Sequence, residues 1–172
     1  MATLRSFLAW WIGGLIVFAI ALWLHAPLAI DAVPGGIAAH QSATSGDEVN
    51  AIQTAWANAG LLPTARLAMS SDLVFITIYS FGALLGGLYF RKAGARVLSL
   101  GGALIVVAAI LFAMCDYGET ISELVQLLRM RGSDELAWLA STLRPIKMAA
   151  WLATFFGLLG LLVIRRFAHH RA

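Results

Sequence analysis

Residues 7–24, 73–90, 97–115 and 148–164 form four runs without a single charged side chain. Each is 17 to 19 residues long, close to the roughly 20 apolar residues that cross a hydrocarbon core. A backbone in lipid must satisfy its own hydrogen bonds, so each run predicts a helix. The runs are rich in Leu, Ala and Gly and lack the period-2 alternation of a membrane β-strand.

Between the first two runs lies a long polar segment, residues 25–71. It contains the loop signal "VPGG". "SGDEVNAIQTAWANAG" then predicts a short helix. Ser45 and Glu48 have capping-box spacing, and Gly60 suits the stop. Val49, Ile52 and Trp56 share one face, which makes this helix amphipathic. Such a helix suits the outer surface of a bundle or a lipid headgroup layer, with Trp56 packing or anchoring. Pro63 suits the first turn of the next helix, which would run on to Phe90. The third helix continues past its apolar run through "ISELVQLLRM" to Leu128. "RGSDEL" ends it at Gly132 and restarts a fourth with Ser133 as N-cap and Asp134 and Glu135 in its first turn. The third and fourth helices should therefore form one long hairpin projecting beyond the apolar layer.

The pattern predicts an all-α fold: an integral membrane four-helix bundle with a short amphipathic extracytoplasmic helix and a projecting hairpin of helices three and four. One transmembrane domain, residues 1–172, accounts for the whole sequence. Composition agrees, with 60% hydrophobic and 12% charged residues against about 25% charged in soluble domains. The first run follows Arg5, as a signal peptide would. Its apolar core exceeds a signal h-region and no cleavage site follows, so it reads as a retained span. Trp10, Trp11 and Trp23 near its ends suit interfacial anchors.

Charge orients the spans. Arg5, the Arg91–Lys92–Arg96 loop and the tail with Arg165, Arg166 and Arg171 hold seven of the twelve basic residues and no acid. The other two connections hold all nine acids. The positive-inside rule then places both termini in the cytoplasm of a bacterial-type inner membrane. The net charge of +3 reflects this flanking and suits anionic lipid, not nucleic acid. Small residues at Gly82 and Gly86, at Ala109 and Ala113, and at Ala149, Ala153 and Gly157 allow tight helix packing. Homo-dimers or a larger membrane complex could form through them.

With this topology, His25, Asp72, Asp116, Glu119, Arg144 and Lys147 fall near one level, the outer boundary of the hydrocarbon. The helical hairpin pairs residues whose numbers sum to about 265, so Asp116 faces Ala149 and Glu119 faces Ile146. Arg144 or Lys147 can then reach Asp116 or Glu119. Asp72 shares a stripe with Tyr79, and Asp116 with Ala109 and Ala113. Asp72, Tyr79, Asp116, Glu119, Lys147 and Arg144 are the candidate ligand-binding residues. His25, Asp72, Asp116 and Glu119 offer a weak metal-ligand set, without a local metal signature.

Several chemistries have no support. One cysteine, Cys115, makes no disulfide or C-x-x-C motif. No nucleophile elbow, P-loop or H-E-x-x-H motif occurs. Only His25 among the histidines lies near a span, which leaves a transmembrane haem without axial ligands. No cofactor is expected. The layer serves either as a register-fixing ion-pair network or as a site. The leading function is a non-enzymatic accessory or ligand-, lipid- or ion-binding subunit. The alternatives are an enzyme using paired carboxylates on an amphipathic substrate, and a small transporter subunit acting as an oligomer.

Overall fold

The computed structural model describes residues 2–169, which leaves His170 and Arg171 of the basic tail outside the described residues. The protein is 86% helical, with six α-helices and no strand among the described residues. In chain order these are α1 (Leu4–His25), α2 (Gly36–Ser42), α3 (Gly46–Asn58), α4 (Leu62–Arg91), α5 (Arg96–Arg129) and α6 (Asp134–His169). A 3₁₀ turn, Ala26–Leu28, follows α1. The helices α1, α4, α5 and α6 contain the four charge-free runs and are long and apolar enough to cross a membrane. Helices α4, α5 and α6 extend well beyond those runs, as the good helix formers in "ISELVQLLRM" predict.

Each of the four long helices contributes to two compact units. The first comprises Met1–Leu15, Thr77–Met114 and Ile146–Ala172. Its helices meet at glycines because a side chain there would strike a neighbouring backbone. A Cβ on Gly14 would lie 2.6 Å from Tyr79 Cα, and one on Gly82 would lie 2.5 Å from Trp11 N. Gly87 meets Gly102 and Val106 of α5 in the same way. Small residues thus allow the close approach that drives association in lipid. The small-residue row expected on α6 is inward only at Gly157, where a Cβ would lie 2.4 Å from Ile105 Cδ1. Ala149 and Ala153 are exposed, while Lys147, Ala150, Thr154 and Leu158 are buried. The bulky polar stripe is the inner one because Thr154 and Lys147 carry groups that need partners away from an apolar surround.

The second unit comprises Ile16–Ile76 and Cys115–Pro145. Leu28, Trp56, Met69 and Leu127 centre its core. Ser45 caps α3, its hydroxyl accepting from Glu48 N at 3.3 Å. The Glu48 carboxylate reaches back to Thr44 N at 2.7 Å, one residue earlier than a standard capping box. Gly60 ends the segment with a positive φ of 70°, a conformation that costs glycine least. The apolar face of α3 is buried in protein rather than turned to a headgroup layer, with Val49 and Trp56 in the core. Trp56 Nε1 donates to Leu28 O at 3.0 Å.

Two features differ from the sequence expectation. The "VPGG" loop runs into a helix, α2, entered through Gly36 at φ 51°. The left-handed residue at the end of α5 is Met130, at φ 49°, not Gly132. Gly132 is small for another reason. It packs on the Gly46 backbone, where a Cβ would collide, and its N–H donates to Asn50 Oδ1 at 2.6 Å. Asp134 completes the junction by accepting from Gly46 N at 2.7 Å. The turn between α5 and α6 is therefore fastened to the start of α3.

Candidate functional site

The unusual chemistry of the second unit lies along one face of α5. Asp116, Glu119 and Glu123 recur at spacings of three and four, so they share a stripe. They are 5%, 0% and 1% exposed. Thr120 and Gln126 are buried on the same side. The opposite face at the same height is apolar and open: Ile121 is 48% and Leu128 56% exposed. Leu67, Val74 and Trp138 add to the open apolar surface. In this part of α5 the usual soluble arrangement is inverted, with charge inside and hydrocarbon outside.

The row is built by short-range bonds. Thr120 Oγ1 donates to Asp116 Oδ1 at 3.5 Å, a long contact for a hydroxyl donor. Ser122 Oγ returns a hydrogen bond to Gly118 O at 2.7 Å, which keeps that hydroxyl off the carboxylates. Gln126 Nε2 donates to Ser122 O at 3.2 Å, and its Oε1 accepts from Ser133 N at 2.9 Å. Gln126 thereby closes the lower end of the row against the α5–α6 turn. Gly118 allows close approach of α6: a Cβ there would lie 2.7 Å from Leu143 Cδ1.

A second polar element joins the end of α1 to α4. His25 Nε2 and Asp72 Oδ2 are 3.1 Å apart, with side chains 14% and 11% exposed. His25 sits in the last turn of α1. Protonated, the contact is an ion pair; neutral, it is a hydrogen bond from Nε2–H.

The other expected site residues fall differently. Arg144 Nη1 donates to Ala38 O in α2 at 2.8 Å. The acceptor comes from α2, a helix not foreseen from sequence. Tyr79 and Lys147 belong to the first unit. The Tyr79 hydroxyl lies 2.9 Å from Thr154 Oγ1. Thr154 donates its own proton to Trp151 O at 2.8 Å, so Tyr79 is the donor to Thr154. Phe112 and Trp151 pack around the Tyr79 ring. Tyr79 thus pins α4 to α6. Of the four candidate metal ligands, His25 and Asp72 are brought into direct contact. Among the described residues, no three His, Cys, Asp or Glu side chains are grouped to hold a metal ion.

Glu123, Thr120 and Gln126 escaped the sequence reading, although Glu123 follows Asp116 by seven residues and so continues its stripe. A second missed element is the pair His40 and Gln53, both 1% exposed. Gln53 Nε2 lies 3.2 Å from His40 Nε2, and His40 stacks on Trp56 at 5.4 Å. Burial pushes the His40 pKa down to about 4, because a desolvated imidazolium is costly. His40 is therefore neutral near pH 7, with Nε2 accepting from the amide and Nδ1 protonated. No periodicity in residues 36–42 flags this pair, since it depends on α2 folding back on α3.

The class these features define is an all-helical protein with four helices fit to cross a membrane and a carboxylate row inside its second unit. Comparison with protein-family models, curated proteins and solved structures finds no match for the chain.

Proposed function

We propose that the chain is a polytopic inner-membrane protein with both termini cytoplasmic, and that it binds a cationic ligand on the buried carboxylates of α5. It acts as a non-enzymatic ligand- or ion-binding subunit. The observation that carries this reading is the inversion of α5: Asp116, Glu119 and Glu123 are buried while Ile121 and Leu128 at the same height are open. An apolar exterior suits lipid or the apolar face of a partner. Carboxylates kept inside such an exterior are costly and mark functional positions by default. Since no three acidic or imidazole side chains among the described residues are grouped for a metal ion, their oxygen atoms suit an amine headgroup, which takes charge-assisted hydrogen bonds without a closed ligand set. The basic segments without acids at Arg5, 91–96 and 165–166 support the orientation. In this topology the extensions of α5 and α6 form a hairpin reaching past the outer membrane boundary.

The reading is tested by thermal shift of the purified full chain in mild detergent. The probe is a phosphatidylethanolamine lipid, with Mg²⁺ alone as the control for metal binding. The lipid should raise the melting temperature of the wild type and fail to raise that of Glu119→Gln or Asp116→Asn. Should both variants melt lower while the lipid does not shift the wild type, the carboxylates are structural and the binding proposal fails. A reporter fused to the C-terminus should give a cytoplasmic signal; an extracytoplasmic one overturns the orientation.

A further inference from the structure

At the other chemical extreme, the first unit contains a cavity of about 480 Å³ whose charged walls, among the described residues, are Lys92 and Arg165. The loop 93–95 and Leu98 complete it, together with Tyr89. Arg165 is held in place by the Tyr89 ring, with its guanidinium carbon 5.3 Å from the ring centroid. That stacking fixes a long side chain in advance, and so reduces the ordering cost of binding an anion. Leu98 is buried at the base. No Asp or Glu lies in residues 1–30, 73–115 or 148–172, so no acidic side chain of these segments competes for the two cations. The loop leads into α5, whose first turn carries no acid and whose preceding residue, Ala95, offers no capping oxygen. Its leading N–H groups add to the attraction for an anion already set by Lys92 and Arg165.

The geometry points to this cavity as a site for a phosphate group, and specifically for the headgroup of an anionic phospholipid. Guanidinium and ammonium together match phosphate oxygens in geometry and charge. The lipid source follows from what adjoins the cavity. Val97 beside it on α5 is 63% exposed, and Ile164 beside Arg165 on α6 is 43% exposed. Acyl chains can leave a headgroup in the cavity and lie directly along these open apolar faces. A free phosphate would use the cations and leave the apolar faces unused. The inference rests on the membrane reading of the long helices, and the site is separate in chemistry from the carboxylate row, since it takes the opposite charge.

The experiment uses the full chain in detergent, titrated with phosphatidylglycerol, phosphatidylcholine or inorganic phosphate and read by native mass spectrometry. The wild type should retain phosphatidylglycerol in preference to phosphatidylcholine. Lys92→Ala and Arg165→Ala should each reduce that preference about fivefold, the typical worth of one basic group at an anionic lipid surface. Arg166→Ala, which removes an exposed charge outside the cavity, should leave it intact, and Arg165→Lys should restore part of it. Equal retention of the two lipids by the wild type overturns the proposal. So does a Lys92→Ala, Arg165→Ala double variant that keeps the wild-type preference. Inorganic phosphate that displaces phosphatidylglycerol at equal concentration overturns the lipid source. Should the double variant not fold, Lys92→Glu alone must abolish the preference. Alkaline carbonate extraction of membranes separates the two levels of failure. A chain released by carbonate contradicts the membrane reading, whereas a chain retained without lipid preference contradicts only this site.

Discussion

The two units solve the problem of a helical interior in opposite ways. The first fills its interior with glycine contacts and aromatic rings, with Tyr79 bonded to Thr154 and one buried charged side chain, Lys147. The second holds His25 against Asp72, His40 against Gln53, and three carboxylates along α5. Both present open apolar faces, as Val97 and Leu104 do in one and Leu67 and Ile121 in the other. The exterior therefore does not distinguish them. What differs is how much polar chemistry each encloses. Enclosing charge under an apolar exterior is costly, and a chain that needed only four packed spans would gain from more of the first kind of interior. This difference is the ground for proposing the amine-binding site in the second unit, while close glycine packing holds the first together.

That division is open to attack. The largest effect is expected in the first unit from Gly14→Val. The added side chain has no room against the Tyr79 backbone and should cost about 3 kcal/mol by overpacking. Melting in detergent should drop accordingly; an unchanged melting point would mean that the glycine contact does not hold the unit together.

In the second unit, His40 makes stability depend on pH. Its folded pKa of about 4 lies below the ordinary value of about 6.5. Between these values the unfolded chain binds a proton that the folded chain does not. The contribution of neutral His40 is thus complete above about pH 6.5 and is lost as pH falls toward about 4, by up to about 3 kcal/mol. Carboxylates also titrate in acid, so the informative quantity is the difference between wild type and His40→Phe. The variant should show a shallower loss of stability over this window, and an identical slope would show that His40 is not buried as a neutral group. A smaller change is expected from Tyr79→Phe, about 1 kcal/mol for one hydrogen bond, because Thr154 keeps its bond to Trp151. A loss of several kcal/mol would give the first unit a polar dependence that the comparison denies it.

How much of this was legible in the sequence varies by cause. The four apolar runs, the extension of α4 back to Leu62 and of α5 to Arg129, and the Ser45 cap follow from local pattern and propensity. They depend on few residues close in sequence. The inward placement of Asp116 was readable from Ala109 and Ala113, and the same spacing carried on would have added Glu123. Features that depend on distant segments were not readable. Asp134, in the first turn of α6 as expected, also accepts from Gly46 N at the start of α3, and Arg144 finds the Ala38 carbonyl. Burial of Lys147 in place of Ala149 was also hidden, since small residues suit an interior seam and a lipid-facing surface equally well.

The claim on which the rest depends is that the carboxylate row of α5 holds a cationic ligand. Native mass spectrometry of the gently extracted full chain tests it most directly, comparing the wild type with Asp116→Asn, Glu119→Gln, Glu123→Gln combined. The account predicts a retained amine-headgroup lipid on the wild type that disappears from the folded triple variant. The bare chain mass for both proteins, or the same retained species on both, would contradict it.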